Sequence, residues 1–392
     1  MPTIPKDDKL ADIKKKFEVT AFRLTQERSD FLLPQIIDFV QQKKWINLRP
    51  EYQRRLVWDA TKRSAFIESL LLNVPIPTLF LFERELSRYE VMDGQQRINA
   101  VVEFYSNKYA LKRLENWTEL NGFKYEDLPE VLQRGLDRRR LSATVVVLDS
   151  AKSAKSSSKT ENDVRKMVFE RLNTGGQHLN PQELRNCLYE GEFNNLLVRL
   201  AKKSRFRQIW GIVPQNSQPS EVDSEIDEAD ATDSDLGGNK LYSRMIDCEI
   251  VLRFFAFLNA KELRGSVKSI LDNCMERNSA ITKAAAATLE KQFDSRLKLA
   301  HDIFGDHTFR YKNSAGQYKI SRPLYDAVMV AIDSLWDRRA DLLKHKAAVV
   351  KSVDALLSRS TSFAIIVGRP NTVAAIQKRI SLLRKAIDRA CM

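Results

Sequence analysis

The stretch Tyr89-Glu-Val-Met-Asp-Gly-Gln-Gln-Arg-Ile98 decides how the surrounding chain folds. It opens with a short run that favours a β-strand, and an Asp-Gly pair follows directly. Apolar residues then recur at helical spacing from Gln95 to Tyr105. The sequence therefore predicts a strand, a tight turn at Gly94 and a helix.

Such a junction has the chemistry of an anion site. A helix that starts here directs unpaired backbone N–H groups and its positive dipole end at the preceding loop. Gly94 permits a positive φ or a close backbone approach. Arg97 offers a forked cation for phosphate oxygens, and Asp93 offers a carboxylate for Mg²⁺. Gln95 and Gln96 add uncharged contacts. An Asp-Gly turn before a helix is also common in ordinary structure, so the pattern alone leaves both interpretations open.

The flanking pattern indicates an α+β protein. Helical spacing predicts a helix over Thr61–Leu72, which two prolines end, and composition predicts strands at Thr78–Phe82 and Thr144–Leu148. From residue 161 onward almost every segment favours a helix. Asn180-Pro-Gln-Glu183 starts one of them with an N-cap, a proline at N1 and a capping box. We therefore expect a small mixed α/β core followed by a mostly α-helical domain.

Composition divides the chain into six predicted segments. They are a charged leader (1–29), a mixed α/β core (30–149), a Ser/Lys-rich linker (150–160), a helical continuation (161–213), an acidic disordered insertion (214–239) and a helical domain (240–392).

The charge distribution points to a polyanionic partner. The formal net charge is +13, although eight acidic residues and no base lie between Glu221 and Asp235. The rest of the chain is therefore more basic than the total indicates. A surplus of this kind favours nucleic acid, while a generally basic soluble surface is the alternative.

Other features narrow the class of protein. The four cysteines form no CxxC pair, so reduced and mostly buried thiols are expected rather than a zinc site or a disulfide framework. No segment has the length of apolar residues that a bilayer span needs, and the N-terminus does not resemble a signal peptide. We expect a cytoplasmic protein without membrane contact. Walker A loops, GxSxG elbows and HExxH motifs are absent from the sequence.

Four sequence blocks resemble one known family. Residues 89–98 are similar to the DGQQR signature of the N-terminal domain of GmrSD-type restriction endonucleases. Arg49-Pro-Glu-Tyr-Gln-Arg-Arg-Leu-Val-Trp58 resembles the family's PxYQRxxxW block, and Glu68-Ser-Leu-Leu-Leu-Asn-Val-Pro-Ile-Pro77 resembles its ESLLLGxPIP block. Residues 169–185, FERLNTGGQHLNPQELR, resemble the FxxxNxGGxxLxxxELR block. The resemblance covers about residues 30–200.

The resemblance implies a ParB/sulfiredoxin-like fold that binds and hydrolyses a nucleoside triphosphate, with Mg²⁺, in a system acting on foreign or modified DNA. It assigns catalysis to Asp93, Gln96 and Arg97. Independently of the resemblance, the carboxylates of Asp93 and Glu68 are candidate ligands for Mg²⁺. The expected nucleotide contacts are Gly94, Gln95, Tyr52, Gln53, Arg54, Trp58, Asn173, Gly175 and Gly176. Core packing is the equal alternative for Tyr52 and Trp58. Glu183 and Arg185 could line the same pocket, and a capping box and a solvated helix are their equal alternatives.

This chain departs from the family pattern in one respect. Many members continue into an HNH-type nuclease domain, which needs paired histidine and asparagine ligands around a divalent ion. The sequence has four histidines, and the cluster His301-Asp-Ile-Phe-Gly-Asp-His307 matches no such motif. If DNA is cleaved, we expect a separate nuclease subunit or an atypical activity of the α/β core.

Three functions remain open at this point. The first is a nucleoside triphosphatase that controls a nuclease in antiphage defence. The second is a DNA-binding module without catalysis, which the net charge supports equally. The third is a metal-dependent nickase that uses Asp93 and Glu68. The oligomeric state, the preferred nucleotide and the DNA feature recognised stay open.

Overall fold

The computed structural model describes residues 24–48, 58–148, 180–189, 191–212, 239–368 and 370–391, together with residues 10, 14, 167 and 168. The chain divides into two compact units. The first contains the described residues up to 168, and the second contains those from 180 onward.

A five-stranded mixed sheet organises the described part of the first unit. Its strands are β1 (Leu24–Leu32), β2 (Ile46–Asn47), β3 (Leu79–Glu85), β4 (Arg88–Asp93) and β5 (Arg140–Leu148). They are ordered β1-β5-β3-β4-β2 across the sheet. The pairs β1–β5 and β3–β4 are antiparallel, while β3–β5 and β2–β4 are parallel.

Helices pack against one face of this sheet and share a single apolar core with it. They are α1 (Leu33–Gln41), α2 (Ala60–Leu71), α3 (Gln95–Tyr105) and α4 (Glu130–Asp137), with a 3₁₀ turn at Thr118–Leu120. Leu79 and Leu81 project from the same face of β3, since side chains alternate along a strand. They are fully buried with Val91 of β4, Ile67 of α2 and Ile98 of α3. This core holds the end of β4 against the start of α3.

The second unit is helical apart from one hairpin in the residues that the structure describes. Its first helices are α5 (Pro181–Leu188), α6 (Glu192–Lys202), α7 (Ser204–Trp210), α8 (Lys240–Ser243), α9 (Ile246–Phe257), α10 (Val267–Arg277) and α11 (Lys283–Phe304). The strands β6 (Arg310–Lys312) and β7 (Tyr318–Ile320) follow as an antiparallel hairpin. The chain continues in α12 (Arg322–Ser334), α13 (Arg339–Lys344), α14 (Lys346–Ser358), α15 (Ser360–Ile366) and α16 (Val373–Arg389), with short 3₁₀ turns at Ala260–Glu262, Gly305–His307 and Trp336–Arg338.

The α+β class predicted from the sequence is confirmed. The helix expected over Thr61–Leu72 is α2, and Asp59 caps it by accepting a hydrogen bond from the Lys62 backbone N–H at 2.8 Å. The capping box before α5 is present as well. The Asn180 side chain accepts from Gln182 and Glu183, and the Glu183 carboxylate accepts the Asn180 N–H at 2.7 Å.

Two elements differ from the sequence-based prediction. Residues 24–29, predicted as part of a charged leader, belong to β1, an edge strand that pairs with β5. An edge strand can be polar on both faces, so its composition resembles that of a loop. The β6–β7 hairpin lies in a region predicted to be helical. Its strands are only three residues long, which is too short for a clear two-residue period.

Cys187, Cys248 and Cys274 are free and buried, and Cys391 is free and partly exposed. Across the described ranges, no helix combines the length and the apolar character required to cross a lipid bilayer.

Candidate functional site at a strand–helix junction

Gly94 is the single residue between β4 and α3. Its backbone adopts φ +100°, in the left-handed region where a Cβ atom is unfavourable. A Cβ added at this position would lie 2.2 Å from Leu79 Cδ2, a buried atom of the neighbouring strand. Positive φ and lack of space both require glycine here, so the Asp-Gly pair fixes how sharply the chain turns into α3.

The first turn of α3 is an uncapped helix start. In the part of the chain that the structure describes, no side chain caps it, because its N-cap residue is Gly94. The amides of this turn and the helix dipole therefore create a local positive potential next to Asp93.

Arg97 faces the protein rather than an open pocket. Its side chain is 11% exposed, and its Nη2 atom lies 2.6 Å from Asp93 Oδ2. The guanidinium also donates to the backbone carbonyl oxygens of Pro77 and Thr78. Burial lowers the pKa of Arg97 and the Asp93 carboxylate partly offsets that effect, yet an arginine stays charged in this setting. The guanidinium expected to meet phosphate thus ties the Pro77–Thr78 segment to the helix start.

Asp93 is the exposed member of this pair, with 60% of its side chain accessible. Arg97 holds one carboxylate oxygen, Oδ2. The carboxylate therefore has a fixed position at the protein surface, beside the first turn of α3. It can accept a further cation or a polar hydrogen without any change in the fold.

The two glutamines lie in different surroundings. Gln95 is buried. Gln96 is half-buried, and its Oε1 atom accepts the Trp58 backbone N–H at 3.4 Å. Its Nε2 atom is buried without a hydrogen-bond partner among the described residues. Trp58 packs edge-on against Phe66, with ring centroids 5.5 Å apart. Asp93, Gly94, Gln96, Arg97 and Trp58 therefore lie in one connected region.

Glu68 is bound to backbone amides. Its carboxylate accepts the N–H groups of Asn116 at 2.7 Å, Trp117 at 2.8 Å and Glu115 at 3.3 Å. Burial raises the pKa of Glu68, but the hydrogen bonds from these amides outweigh burial and lower the pKa below the ordinary value. A charged carboxylate that holds one loop to α2 favours a structural role. The metal role assigned to it stays a prediction.

The remaining predicted contacts lie outside the described residues. They are Tyr52, Gln53, Arg54, Asn173, Gly175 and Gly176. In the described ranges, no three His, Cys, Asp or Glu side chains are grouped as metal ligands.

Two cavities in the first unit lie elsewhere. One, of about 590 Å³, is lined by residues of β2 and the start of β4, including Trp45 and Tyr89. The other, of about 660 Å³, lies at the start of α2 near Asp59. Asp93 and Arg97 line neither of these two cavities.

The two carbonyl groups that accept hydrogen bonds from Arg97 were not predicted from the sequence. Pro77 was interpreted as part of a helix stop and Thr78 as the start of a strand, and neither carbonyl group was assigned a role. The signal was available in principle, because a proline pair places an extended, unpaired backbone immediately before β3.

Comparison with known proteins supports the motif-based prediction. Residues 35–190 match the family model described as the GmrSD restriction endonuclease, N-terminal domain. No curated protein matches the chain. No solved structure matches it either. The matched region contains β3, β4, α3 and the DGQQR motif. Residues 35–190 therefore carry the N-terminal domain of the GmrSD restriction endonuclease family.

Proposed function

We propose that this chain binds the Mg²⁺ complex of a nucleoside triphosphate at Asp93 and the first turn of α3, and that it hydrolyses the nucleotide there. The GmrSD N-terminal domain indicates a component of a restriction system, which defends a cell against phage. The proposal adds a reaction and a site to that assignment. The observation that carries it is the exposed Asp93 carboxylate, held by Arg97 beside an uncapped helix start.

Electrostatics favours a metal–nucleotide complex over a bare phosphate. The amides of α3 attract an anion, whereas the carboxylate of Asp93 repels one. Asp93 would hold a divalent cation, which would supply positive charge for the phosphate oxygens and so make both contacts favourable. Mg²⁺ commonly binds through one or two carboxylates together with substrate phosphates, so a single exposed aspartate fits this ion. The bound ion would neutralise charge on the transferring phosphoryl group.

The chain's own residues then have distinct roles. Asp93 would hold the ion, and backbone N–H groups in the first turn of α3 would contact phosphate oxygens. Arg97 would act as a positioning residue, because its guanidinium orients the Asp93 carboxylate. The Gln96 side-chain amide, whose Nε2 atom has no partner in the described residues, is suited to orient the attacking water.

The wider assignments also belong to the proposal. We propose DNA as the polyanionic partner, given a net charge of +13 and a domain from restriction systems. We further propose that cleavage of DNA belongs to a separate nuclease subunit. The cytoplasmic location expected from the sequence stays a prediction.

A hydrolysis panel tests the proposal. The four ribonucleoside triphosphates would be incubated with the full chain and Mg²⁺, with and without duplex DNA, and released phosphate measured. We expect hydrolysis of at least one nucleotide, and a loss of about 100-fold or more in Asp93→Asn. Asp38→Asn, which changes a partly exposed aspartate of the same unit, is the matched control and should retain full activity.

A separate measurement of nucleotide binding shows whether a variant has lost binding or hydrolysis. Titration calorimetry with a non-hydrolysable analogue should show Mg²⁺-dependent binding to the unaltered chain and weaker binding to Asp93→Asn. If no nucleotide binds in either the presence or the absence of DNA, the proposal is wrong. Hydrolysis that survives in Asp93→Asn would move the site away from this junction.

A further inference from the structure

The β6–β7 hairpin is a basic ribbon on the second unit. Residues 309–322 contain Arg310, Lys312, Lys319 and Arg322 and no acidic residue. Most of the ribbon beyond its base is exposed, including both lysines and the whole tip from Ser314 to Gln317. Neither lysine has a carboxylate partner among the residues that the structure describes. The ribbon is therefore a local concentration of uncompensated positive charge.

The base of this ribbon is fixed to the helical core. Phe309, immediately before β6, is buried, and its ring lies 4.9 Å from that of Tyr325. Ser321, immediately after β7, caps α12 by accepting the Leu324 N–H. Arg310 donates to the carbonyl oxygens of Asp306 and Ile209, so its guanidinium braces the base and is not available to a partner. The ribbon thus has a fixed direction.

The tip is ordered by its own hydrogen bonds. The Asn313 side-chain oxygen accepts the backbone N–H groups of Ala315 at 3.0 Å and Gln317 at 2.9 Å. Gly316 turns the chain with φ +75°, and a Cβ there would meet no atom within 4 Å. An Asx-type turn of this kind limits the entropy that binding must remove.

Strand register places the two lysines on opposite faces. Lys312 lies opposite Tyr318, and Lys319 lies opposite Tyr311. Residues directly opposite in an antiparallel pair share a face, and neighbours along a strand alternate faces. The tyrosine rings themselves are occupied. Tyr318 stacks on His307 at 3.7 Å, and Tyr311 packs against Phe363 at 5.3 Å.

We propose that this ribbon inserts into a groove of duplex DNA. A two-stranded ribbon fits the major groove, and cations on its two faces would reach phosphates on both walls. The polar tip, with Ser314 and Gln317, would approach the base edges. Tyr318 is 42% exposed but already stacks on His307, and Tyr311 packs against Phe363, so a stacking platform for single strands is not favoured. The choice of DNA rests on the proposed function, but the ribbon's action does not require nucleotide hydrolysis.

The salt dependence of DNA binding tests this surface. Affinity of the full chain for a fluorescent duplex would be measured by anisotropy at several salt concentrations, without nucleotide. Each phosphate contact contributes about 0.9 to the slope of log affinity against log salt, so Lys312→Gln/Lys319→Gln should reduce the slope by about 1.8. Lys312→Arg/Lys319→Arg should retain it.

A second pair of lysines is the matched control. Lys283 and Lys291 are exposed on α11 and pair with no carboxylate in the described ranges. Lys283→Gln/Lys291→Gln makes the same change in net charge and should leave the slope unchanged. A thermal unfolding midpoint equal to that of the original chain would show that each variant is folded.

Each alternative outcome overturns the inference. The inference is wrong if Lys312→Gln/Lys319→Gln leaves the slope unchanged or if Lys283→Gln/Lys291→Gln reduces it equally. It is also wrong if the chain binds a single strand of the same sequence more strongly than the duplex. The proposed function is judged apart from this, because the hairpin variant should hydrolyse nucleotide normally in the absence of DNA.

Discussion

At the residue scale, Gly94 and Arg97 show why the DGQQR motif needs its particular residues. The glycine is required by a positive φ and by Leu79 at 2.2 Å from a hypothetical Cβ. The arginine links the helix start to carbonyl groups that precede β3. Both residues build the junction itself, whatever ligand it binds.

Gly94→Ala should therefore destabilise the protein. The left-handed backbone costs about 1–2 kcal/mol for a residue with a Cβ. Displacing the Leu79 side chain adds about 1–3 kcal/mol. We expect the free energy of unfolding of the first unit to fall by about 2–5 kcal/mol, measured by denaturant titration.

Gly122→Ala separates the two contributions. Gly122 also has a positive φ, +92°, but a Cβ there would meet nothing within 4 Å. It should therefore lose only the backbone contribution, about 1–2 kcal/mol. Equal losses in both variants would refute the packing argument at Gly94.

At the scale of elements, Glu68 fastens a loop to α2. Its carboxylate receives three consecutive amides just before the 3₁₀ turn at Thr118–Leu120. Hydrogen bonds from backbone N–H groups stabilise the charged form of a carboxylate more than the protonated form. Stability therefore depends on the ionisation of this residue.

Glu68→Gln should lower stability in a pH-dependent way. A carboxyl group whose folded pKa is lowered contributes fully above its unfolded value, here the ordinary 4.5. That contribution is lost as pH falls through the lowered folded pKa. We expect a loss of about 1–2 kcal/mol near neutral pH, and a difference from the original chain that shrinks below about pH 4.

The control for this prediction is Glu130→Gln. Glu130 is an exposed residue of α4 that pairs with Arg134 at 3.3 Å. Such a pair contributes little, so unfolding should change by less than about 0.5 kcal/mol at either pH. A Glu68→Gln deficit that stays constant from neutral to acidic pH would contradict the assigned cause.

At the scale of the whole molecule, a buried ionic network joins helices of the second unit. Arg185 of α5 binds Asp272 of α10 at 2.8 Å and Glu249 of α9 at 3.4 Å. Arg253, one turn further along α9, makes a two-point contact with Asp326 of α12, including one at 2.9 Å.

The network continues at Arg379 of α16, which is fully buried. This guanidinium donates to the Pro370 carbonyl oxygen at 2.7 Å. Its positive charge also interacts with the Asp326 carboxylate. Asp326 therefore pairs with Arg253 and offsets only part of the burial that lowers the pKa of Arg379.

Removing Asp326 should be more damaging than removing Arg253. Asp326→Asn removes the carboxylate that pairs with Arg253 and that interacts electrostatically with Arg379, whereas Arg253→Met leaves the interaction with Arg379 in place. Breaking a buried pair by losing one partner typically costs about 3–5 kcal/mol. We expect both variants to fall in this range, with Asp326→Asn at its upper end, by denaturant unfolding.

A half-exposed pair provides the comparison. Asp388 contacts Arg338, and each side chain is 33% exposed. Asp388→Asn should cost less than about 1 kcal/mol. The ranking would be disproved if Arg253→Met were the most destabilising of the three.

Local sequence patterns were sufficient for much of the fold. The positions of α2, α3 and α5 follow from helical spacing and from caps at Asp59 and Asn180, all of which act within a few residues. The polar edge strand β1 and the short hairpin strands were missed. Pairing partners stabilise those strands, and their own composition does not indicate them.

The candidate site also combines features that follow from the local sequence with features that depend on tertiary packing. The turn at Gly94 and the start of α3 were determined by the sequence alone, because φ preference and hydrophobic period are local properties. Only the tertiary structure decided that Arg97 reaches the Pro77 and Thr78 carbonyls and that Glu68 holds amides more than forty residues away. Those contacts depend on how sheet and helices pack. This packing determines which groups each charged side chain reaches, and no local pattern of residues encodes the packing.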